Sequence, residues 1–269
     1  MKQEAHSFFF GLQAACPWPD PLPHGRCLQE NDRHATLVFL GKIDPQPLFP
    51  HLAEFPAPPF KAGLAGIFDR YLFLPEHHPR VVCWHVDFSE ALKALEEYQK
   101  HLMAWLKKLD IFKESHLDER EWLPHVTIAR SPFDCKAWAE SFRPLPVIFT
   151  KIHLYESIGN LRYVPVWTLP LVAPWDEIEH TADMAMIVRG ETLPQLYRHA
   201  QMALAFKFPE ILSFLPASTP SSLDDIIMLL NEAIAHADQK IGCPFKAVSF
   251  HGKIEIRDQT LCWEMIIDV

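Results

Sequence analysis

Two short segments of the chain each place a threonine two residues after a histidine. They are His34-Ala35-Thr36-Leu37 and His125-Val126-Thr127-Ile128, and both stand in strand-like runs. Residues i and i+2 of a β-strand project from the same face, so each histidine would lie beside its threonine. Two such strands facing one another would line a cleft with two imidazoles and two hydroxyl groups.

This set of side chains has a chemical use in splitting a phosphodiester. One group must take a proton from the attacking water, and a second must protonate the departing oxygen. Histidine, with a reference pKa of about 6.5, can do either near neutral pH. We therefore predict His34 and His125 as an acid–base pair that requires no metal. The sequence leaves open which histidine is the base and which is the acid.

The threonines add hydrogen-bond donors to the two imidazoles. Thr36 and Thr127 are predicted to bind the non-bridging phosphate oxygens, where negative charge concentrates. The chain has 15 histidines, so one such segment alone would be an expected chance match. Two copies in strand-like contexts favour a shared role.

Strands must position these segments, and one strong helix interrupts the predicted strands. The predicted strands of the first part are Phe8–Leu12, His34–Leu40, Val81–Phe88, His125–Ala129 and Val147–Tyr155. The helix carries leucines at helical spacing, which predicts a face packed on a sheet: Leu92, Leu95, Leu102, Leu106 and Leu109. Helices at 192–206 and 223–237, then strands at 246–250, 253–256 and 261–267, are predicted further on.

The composition is that of an ordinary globular protein. Of 269 residues, 49% are hydrophobic and 22% charged, and no apolar run is long enough for a membrane span. The first residues do not resemble a secretory signal. Six scattered cysteines without a CxxC pair favour free thiols. We therefore expect a cytoplasmic protein with no membrane partner.

Charge is shared unevenly between the two parts of the chain. Residues 1–172 carry 18 Lys+Arg and 20 Asp+Glu, whereas residues 173–269 carry 7 and 14, so their net charges are −2 and −7. Phosphate binding favours a basic face, so bulk attraction does not predict nucleic-acid binding by the second part. Its acidic residues fit a metal, a basic protein partner or simply a solvated surface. The proline-rich segment 165–176 predicts a linker or a boundary between two domains.

The histidine segments resemble the two signatures of a known enzyme family. His34-Ala-Thr-Leu-Val-Phe-Leu-Gly41 and Pro124-His-Val-Thr-Ile-Ala-Arg130 resemble those of the 2H phosphoesterases, most closely the LigT-type RNA 2′,3′-cyclic phosphodiesterases, also called 2′-5′ RNA ligases. The likeness extends over residues 5–171. It implies a bilobal α+β domain, residues 1–172, with antiparallel sheets around a central cleft.

That resemblance also implies roles for particular residues. The histidines would be the acid–base pair, the threonines would hold phosphate, and Arg130 would join them because it matches the arginine that ends the second signature. Strict strand alternation, however, turns Arg130 away from His125. The implied substrate is an RNA end that carries a 2′,3′-cyclic phosphate.

The second part of the chain resembles the archease family. Glu-Ile-Glu-His-Thr-Ala-Asp at 177–183 and the terminal Trp-Glu-Met-Ile-Ile-Asp-Val at 263–269 carry this likeness. It implies a smaller α+β domain, residues 173–269, with an acidic pocket that holds Ca²⁺ or Mg²⁺. The pocket residues would be Asp183, Asp268, the carboxylate of Val269 and Lys246. Archeases assist a tRNA-splicing RNA ligase, but this part is shorter than the usual archease and lacks the family's Gly-Glu and Arg-His segment.

Together these features predict a hydrolase of RNA 2′,3′-cyclic phosphate ends, coupled to a module that assists an RNA ligase in tRNA splicing or RNA repair. One alternative keeps the enzyme and changes the substrate to a small cyclic nucleotide, an ADP-ribose cyclic phosphate or a 2′-5′ oligonucleotide. The other is a non-catalytic RNA-binding or ligase-adaptor protein whose histidines only bind phosphate.

Overall fold

The computed structural model describes residues 6–89, 91–109 and 122–269. The chain divides into two compact units near residue 171. The first unit comprises Met1–Pro59, Phe68–Arg143 and Phe149–Leu171, and the second comprises Phe60–Ile67, Pro144–Ile148 and Val172–Val269. The second unit thus takes in two short segments that come before the predicted boundary at 172.

The larger sheet has eight strands. They are β1 (Ser7–Ala15), β2 (Arg26–Cys27), β3 (His34–Lys42), β4 (Leu64–Leu74), β5 (Val81–Asp87), β6 (His125–Arg130), β7 (Leu145–Gly159) and β8 (Arg162–Pro170). Their order is β1-β3-β6-β5-β4-β7-β8, with β2 beside β6. An additional pairing of β1 with β7 closes six of these strands into a ring. The two strands that carry the histidine segments are therefore neighbours inside the sheet.

Strand β8 corrects the linker prediction. It covers the first half of the segment 165–176 and pairs with β7 as far as Pro170. Proline removes a backbone donor, but it is tolerated here because β8 is the last strand in the sheet order. Pro165, the other proline of this segment in β8, faces Tyr155, where the register of β7 with β8 shifts between Leu154 and Tyr155. Prolines in this segment thus mark an edge strand as well as the change of unit.

Two helices accompany the large sheet, α1 (Ala91–Lys108) and α2 (Cys135–Ser141). Three leucines of the predicted stripe, Leu95, Leu102 and Leu106, are fully inaccessible, whereas Leu92 and Leu109 are partly exposed, the latter just beyond the end of α1. Helix α2 begins after Asp134, whose carboxylate accepts a hydrogen bond from the backbone N–H of Lys136.

The second unit combines two helices with a five-stranded sheet. Its elements are β9 (Trp175–Ile178), β10 (Met184–Gly190), α3 (Leu193–Lys207), α4 (Leu223–Ile241), β11 (Ala247–Val248), β12 (Glu255–Arg257) and β13 (Thr260–Asp268). The strand order is β11-β13-β10-β9, with β12 beside β13. Thr192 and Ser222 cap the two helices through their side-chain oxygens. Apolar faces of α3, α4, β10 and β13 form one buried core.

The expected combination of helices with antiparallel sheets is confirmed, because every strand pair with a described register is antiparallel. All six cysteines lie in the described residues and are free thiols. Among the helices of this part of the chain, none is long and apolar enough to cross a membrane.

Gly190 is required where β10 meets the first turn of α3. A Cβ atom built on Gly190 would lie 2.4 Å from the backbone nitrogen of Leu196 and 2.7 Å from its Cα. We predict that Gly190→Ala lowers the free energy of unfolding by about 3 kcal/mol, since backbone must move to relieve the overlap. Urea denaturation followed by tryptophan fluorescence measures this change.

Gly25→Ala provides the matched control for Gly190→Ala. Its Cβ would meet side-chain atoms no closer than 3.4 Å, an ordinary contact distance. A loss of stability at Gly190 no larger than that at Gly25 would contradict the packing argument.

Candidate active site

The two histidine–threonine segments lie side by side on β3 and β6. These strands pair antiparallel about Ala35 and Val126, and both of those residues are fully buried. Cross-strand neighbours share a face, so the two histidines and the two threonines project together from the opposite face. In this register His34 faces Thr127, and Thr36 faces His125. The prediction that each histidine lies beside its threonine is consistent with this arrangement, but the strands adjoin instead of facing one another.

Both imidazoles are held by the same backbone contact. Nδ1 of His34 lies 2.7 Å from the carbonyl oxygen of Asp32, and Nδ1 of His125 lies 2.7 Å from that of Leu123. A carbonyl can only accept a hydrogen bond, so Nδ1 carries the proton in each neutral ring. Nε2 of each ring is therefore the nitrogen available for proton transfer.

A one-residue bulge follows each threonine. On β3, Phe10 faces Val38 but Gly11 faces Thr36, which leaves Leu37 without a partner position on β1. Such a bulge changes which later residues share a face with the earlier ones.

The corresponding bulge on β6 determines the position of Arg130. The register with β5 shifts between Val82 and Cys83, which leaves Ile128 as the extra residue. Beyond the bulge, Arg130 faces Val81, which lies on the same face of β5 as Cys83. Arg130 thus shares the face of the second histidine, contrary to strict alternation. The bulge supplies the change of direction that this arginine needs to take part in the site.

An aromatic wall surrounds the ring of His34. Phe9 stacks on the imidazole with ring centroids 4.5 Å apart, and Tyr155 lies at 5.1 Å. Tyr163 presents its edge at 4.8 Å. These contacts leave the His34 side chain nearly inaccessible to solvent.

Burial lowers the pKa of His34 to about 4, because the charged imidazolium loses its hydration. The hydrogen bond to the Asp32 carbonyl opposes this shift, whereas the positive charges of His125, Arg130 and His153 add to it. His34 is therefore neutral at pH 7 in the free protein. The charges of His125 and Arg130 lower the pKa of His34, so both groups lie close enough to act on it electrostatically.

The β7–β8 hairpin is fastened beside His34 through a buried carboxylate. Oδ1 of Asp32 accepts a hydrogen bond from the backbone N–H of Tyr163 at 2.7 Å. Arg162 places Nε 3.0 Å from Oδ2 of the same carboxylate as an ion pair. Asp32 thus holds the tyrosine edge against His34 while its own carbonyl holds the imidazole.

A third histidine, His85, faces His125 from β5. Its Nδ1 lies 2.6 Å from Oδ1 of Asp69, and Asp69 Oδ2 also accepts a hydrogen bond from Arg70 at 2.7 Å. Burial lowers the pKa of His125, and the charge of His85 lowers it further. The sequence pattern does not indicate this pair. The alternation of Val81–Asp87 indicates which residues share a face with His85, but not that β5 adjoins β6.

A fourth histidine, His153, lies on the other side of the site. Gln13 faces His34 from β1, and its Oε1 lies 3.4 Å from Nε2 of His153. Nδ1 of His153 lies 2.8 Å from Oγ1 of Thr168. Gln13 therefore joins the site face to the buried His153, another link that the sequence pattern did not indicate.

The arrangement suits the hydrolysis of a phosphate ester by water. Two imidazole Nε2 atoms can exchange protons, and two threonine hydroxyls can donate to phosphate oxygens. Thr127 Oγ1 contacts Cys83 Sγ at 3.6 Å, a weak interaction that leaves the hydroxyl free to rotate toward a stronger acceptor. Arg130 adds a permanent positive charge on the same face.

In the second unit, two predicted pocket residues lie at the same end of the β10–β13 pair. The register pairs Met184 with Ile267, so Asp183 comes directly before the first paired residue of β10 and Asp268 directly after its partner on β13. Asp183 Oδ2 lies 3.7 Å from Nδ1 of His180.

The other two predicted pocket residues contact each other, since Nζ of Lys246 donates to a backbone oxygen of Val269 at 2.5 Å. Among the residues that the structure describes, no group of three or more His, Cys, Asp or Glu side chains is placed to hold a metal ion. The predicted Ca²⁺ or Mg²⁺ site therefore lacks a side-chain ligand set of that size there.

Comparison of the sequence with known proteins gives a similarity to a phosphodiesterase. The chain is 32% identical over 147 residues to the RNA 2′,3′-cyclic phosphodiesterase of Geobacillus stearothermophilus. The match spans 51% of this chain and only 42% of the length of that relative. No family model matches the chain.

Solved structures of phosphoesterases resemble part of the chain at low identity. LigT of E. coli in complex with 3′-AMP aligns with a TM-score of 0.44 and 19% identity, covering 62% of this chain and 99% of LigT. A Thermus thermophilus protein, TT0787, aligns with a TM-score of 0.46 and 17% identity, covering 62% of this chain and 98% of that protein. The sequence similarity to the Geobacillus enzyme supports the predicted relation to the LigT-type 2H phosphoesterases, and the resemblance of the second part to archeases stays a prediction.

Proposed function

We propose that the first unit hydrolyses 2′,3′-cyclic phosphates at RNA ends to 2′-phosphates. One observation carries this proposal. His34 and His125 share a sheet face with Thr36 and Thr127, and each imidazole is held through Nδ1 so that Nε2 is available for proton transfer. Two proton-transfer groups and two hydroxyl donors on one face match what an in-line attack on a phosphate requires.

The reaction then proceeds through two proton transfers. Nε2 of one histidine takes a proton from water while the water oxygen bonds to phosphorus. The bond from phosphorus to the ribose 3′-oxygen breaks, and the other histidine gives its proton to that oxygen. Thr36 and Thr127 stabilise the negative charge on the non-bridging oxygens during the attack. The 2′-oxygen keeps the phosphate.

The similarity to the Geobacillus enzyme supports this choice of substrate class. That relative is named for RNA 2′,3′-cyclic phosphates, and the shared region includes 147 residues. The chain matches less than half of it, so the activity of this chain stands as a proposal.

For the second unit, an archease-like role in assisting a tRNA-splicing RNA ligase stays a prediction. Asp183 and Asp268 lie at the same end of the β10–β13 pair, and their carboxylates are the hard oxygen ligands that Ca²⁺ and Mg²⁺ prefer. Isothermal titration of the protein with Ca²⁺, compared with Asp183→Asn, would test this site independently of hydrolysis.

The activity prediction uses an RNA oligonucleotide that ends in a 2′,3′-cyclic phosphate. We expect the protein to open the ring to a 2′-phosphate in EDTA, because the proton transfers need no metal. His34→Ala and His125→Ala should each lower kcat by about 10²–10⁴-fold, the range for loss of a general acid or base. Chromatography and ³¹P NMR of the product measure the rate and the position of the phosphate.

His236→Gln serves as the control for these variants, because His236 is an exposed residue of α4. Turnover of mononucleotide, ADP-ribose or 2′-5′ substrates without turnover of RNA ends would favour the small-substrate alternative. Binding of RNA ends without turnover of any of these substrates would favour the adaptor alternative. Strong inhibition by EDTA would contradict the metal-free mechanism.

The pH dependence follows from the burial of both histidines. Burial lowers the pKa of His34 to about 4 and also lowers that of His125, so each ring loses its proton below its usual value of 6.5. One ring must carry a proton to protonate the leaving oxygen, so kcat/KM should fall as the pH rises through 6.5. A pH profile of kcat/KM reports the free enzyme, and an optimum above pH 8 would contradict the burial argument.

His85→Gln should move this profile in a known direction. The charge of His85 lowers the pKa of His125, so its removal raises that pKa and preserves the protonated form at higher pH. We expect the limb of the profile that reports His125 to move to higher pH, with His236→Gln as the matched control. An unchanged or more acidic limb would show that His85 does not act on His125.

A further inference from the structure

Two arginines face each other directly where β2 meets β6. Arg26 and Arg130 are cross-strand partners, and both are exposed. Like charges at facing positions destabilise a strand pair unless another group compensates them. A compensating anion at this point would therefore be bound by both guanidinium groups.

Neither of these arginines has a side-chain hydrogen bond or an ion pair within the described ranges 6–89, 91–109 and 122–269. Three other arginines of the first unit are engaged: Arg33 donates to the Leu28 carbonyl, Arg70 bonds to Asp69 and Arg162 pairs with Asp32. The facing pair differs from these in presenting two adjacent cationic donors without an acidic partner in those ranges.

The pair lies on the same face as the candidate catalytic groups. Beyond the bulge at Ile128, Arg130 returns to the face of Thr127, and Arg26 shares that face as its cross-strand partner. Arg130 also acts electrostatically on His34 and on Cys83, which places its charge near the site. The two arginines therefore extend the phosphate-binding face along β6.

The spacing suits a second phosphate of the same strand. Arg130 and Thr127 face Val81 and Cys83, which are two residues apart on β5, so their spacing along the strand is about 7 Å at 3.3 Å per residue. This is of the same order as the separation of successive phosphates along an extended nucleic-acid strand. Arginine matches phosphate geometry with two parallel N–H donors.

We propose that Arg26 and Arg130 bind the internucleotide phosphate on the 5′ side of the terminal nucleotide. This inference rests on the proposed function, because the terminal cyclic phosphate is assigned to the two histidines and two threonines. It makes the substrate an oligoribonucleotide or longer RNA, in preference to a mononucleotide, which has no such phosphate. Two arginines at facing positions on the paired strands β2 and β6 supply this selectivity, although the first unit carries no net positive charge.

The test compares two substrates that differ by one nucleotide. They are cytidine 2′,3′-cyclic phosphate and the dinucleotide CpC that ends in a 2′,3′-cyclic phosphate. Arg26→Gln should lower the ratio of kcat/KM for the dinucleotide to that for the mononucleotide by about tenfold, the effect of one lost charge-assisted hydrogen bond. Arg257→Gln, which removes the same charge from a residue paired with Glu255, should leave the ratio as in the wild type.

A binding measurement keeps the test independent of turnover. The probe is a fluorescent ribo-octanucleotide ending in a 3′-phosphate, whose affinity is measured by anisotropy between 50 and 200 mM salt, the range over which phosphate contacts are lost. Arg26→Gln should reduce the slope of log affinity against log salt by about 0.7, the value for one phosphate contact to a single strand. An unchanged slope or an unchanged substrate ratio would overturn the second phosphate site. If the folded wild-type protein turned over neither substrate, the proposed function would be contradicted. The slope of log affinity against log salt would then decide whether Arg26 binds a phosphate.

Discussion

The hydrogen bonds from Nδ1 of His34 and His125 to backbone carbonyls are the contacts on which the site depends. Each bond spans only two residues, so the strand that carries the histidine also fixes its tautomer and ring orientation. Because the two strands adjoin, both Nε2 atoms belong to one face. If the backbone before either histidine changed shape, Nδ1 of that ring would lose its hydrogen bond to the carbonyl. Nε2 would then no longer be held in position for proton transfer.

Burial lowers the pKa of both His34 and His125. The aromatic wall of Phe9, Tyr155 and Tyr163 removes water from His34, and the neighbouring cations make its protonation still less favourable. An anionic phosphate placed between the imidazoles reverses this effect, since it stabilises an imidazolium. In the proposed reaction, substrate binding is therefore coupled to protonation of the acid. Both rings are neutral in the free protein at pH 7, and a bound phosphate would favour the charged form that this reaction needs.

The alternation of side chains let the sequence predict the strands around both histidines and the shared face of each histidine and threonine. It did not predict the bulges at Leu37 and Ile128, because a bulge depends on the register of the partner strand. For the same reason, strict alternation turns Arg130 away from His125, and the bulge at Ile128 reverses this direction.

His85 and Asp69 were missed because strand neighbours far apart in the sequence determine that contact. Prolines in β8 were read as a linker, whereas an edge strand tolerates them. The local pattern thus indicated the two histidine–threonine segments, and long-range strand pairing determined which other residues lie beside them.

The central claim is that Nε2 of both histidines addresses a single phosphate. Imidazole ¹H–¹⁵N NMR spectra at neutral pH, recorded before and after addition of a nucleoside 2′-monophosphate, test it most directly. We predict that both rings carry their proton on Nδ1 in the free protein and that both Nε2 signals move when the nucleotide binds. A proton on Nε2 of either free ring, or a response confined to one histidine, would contradict the account.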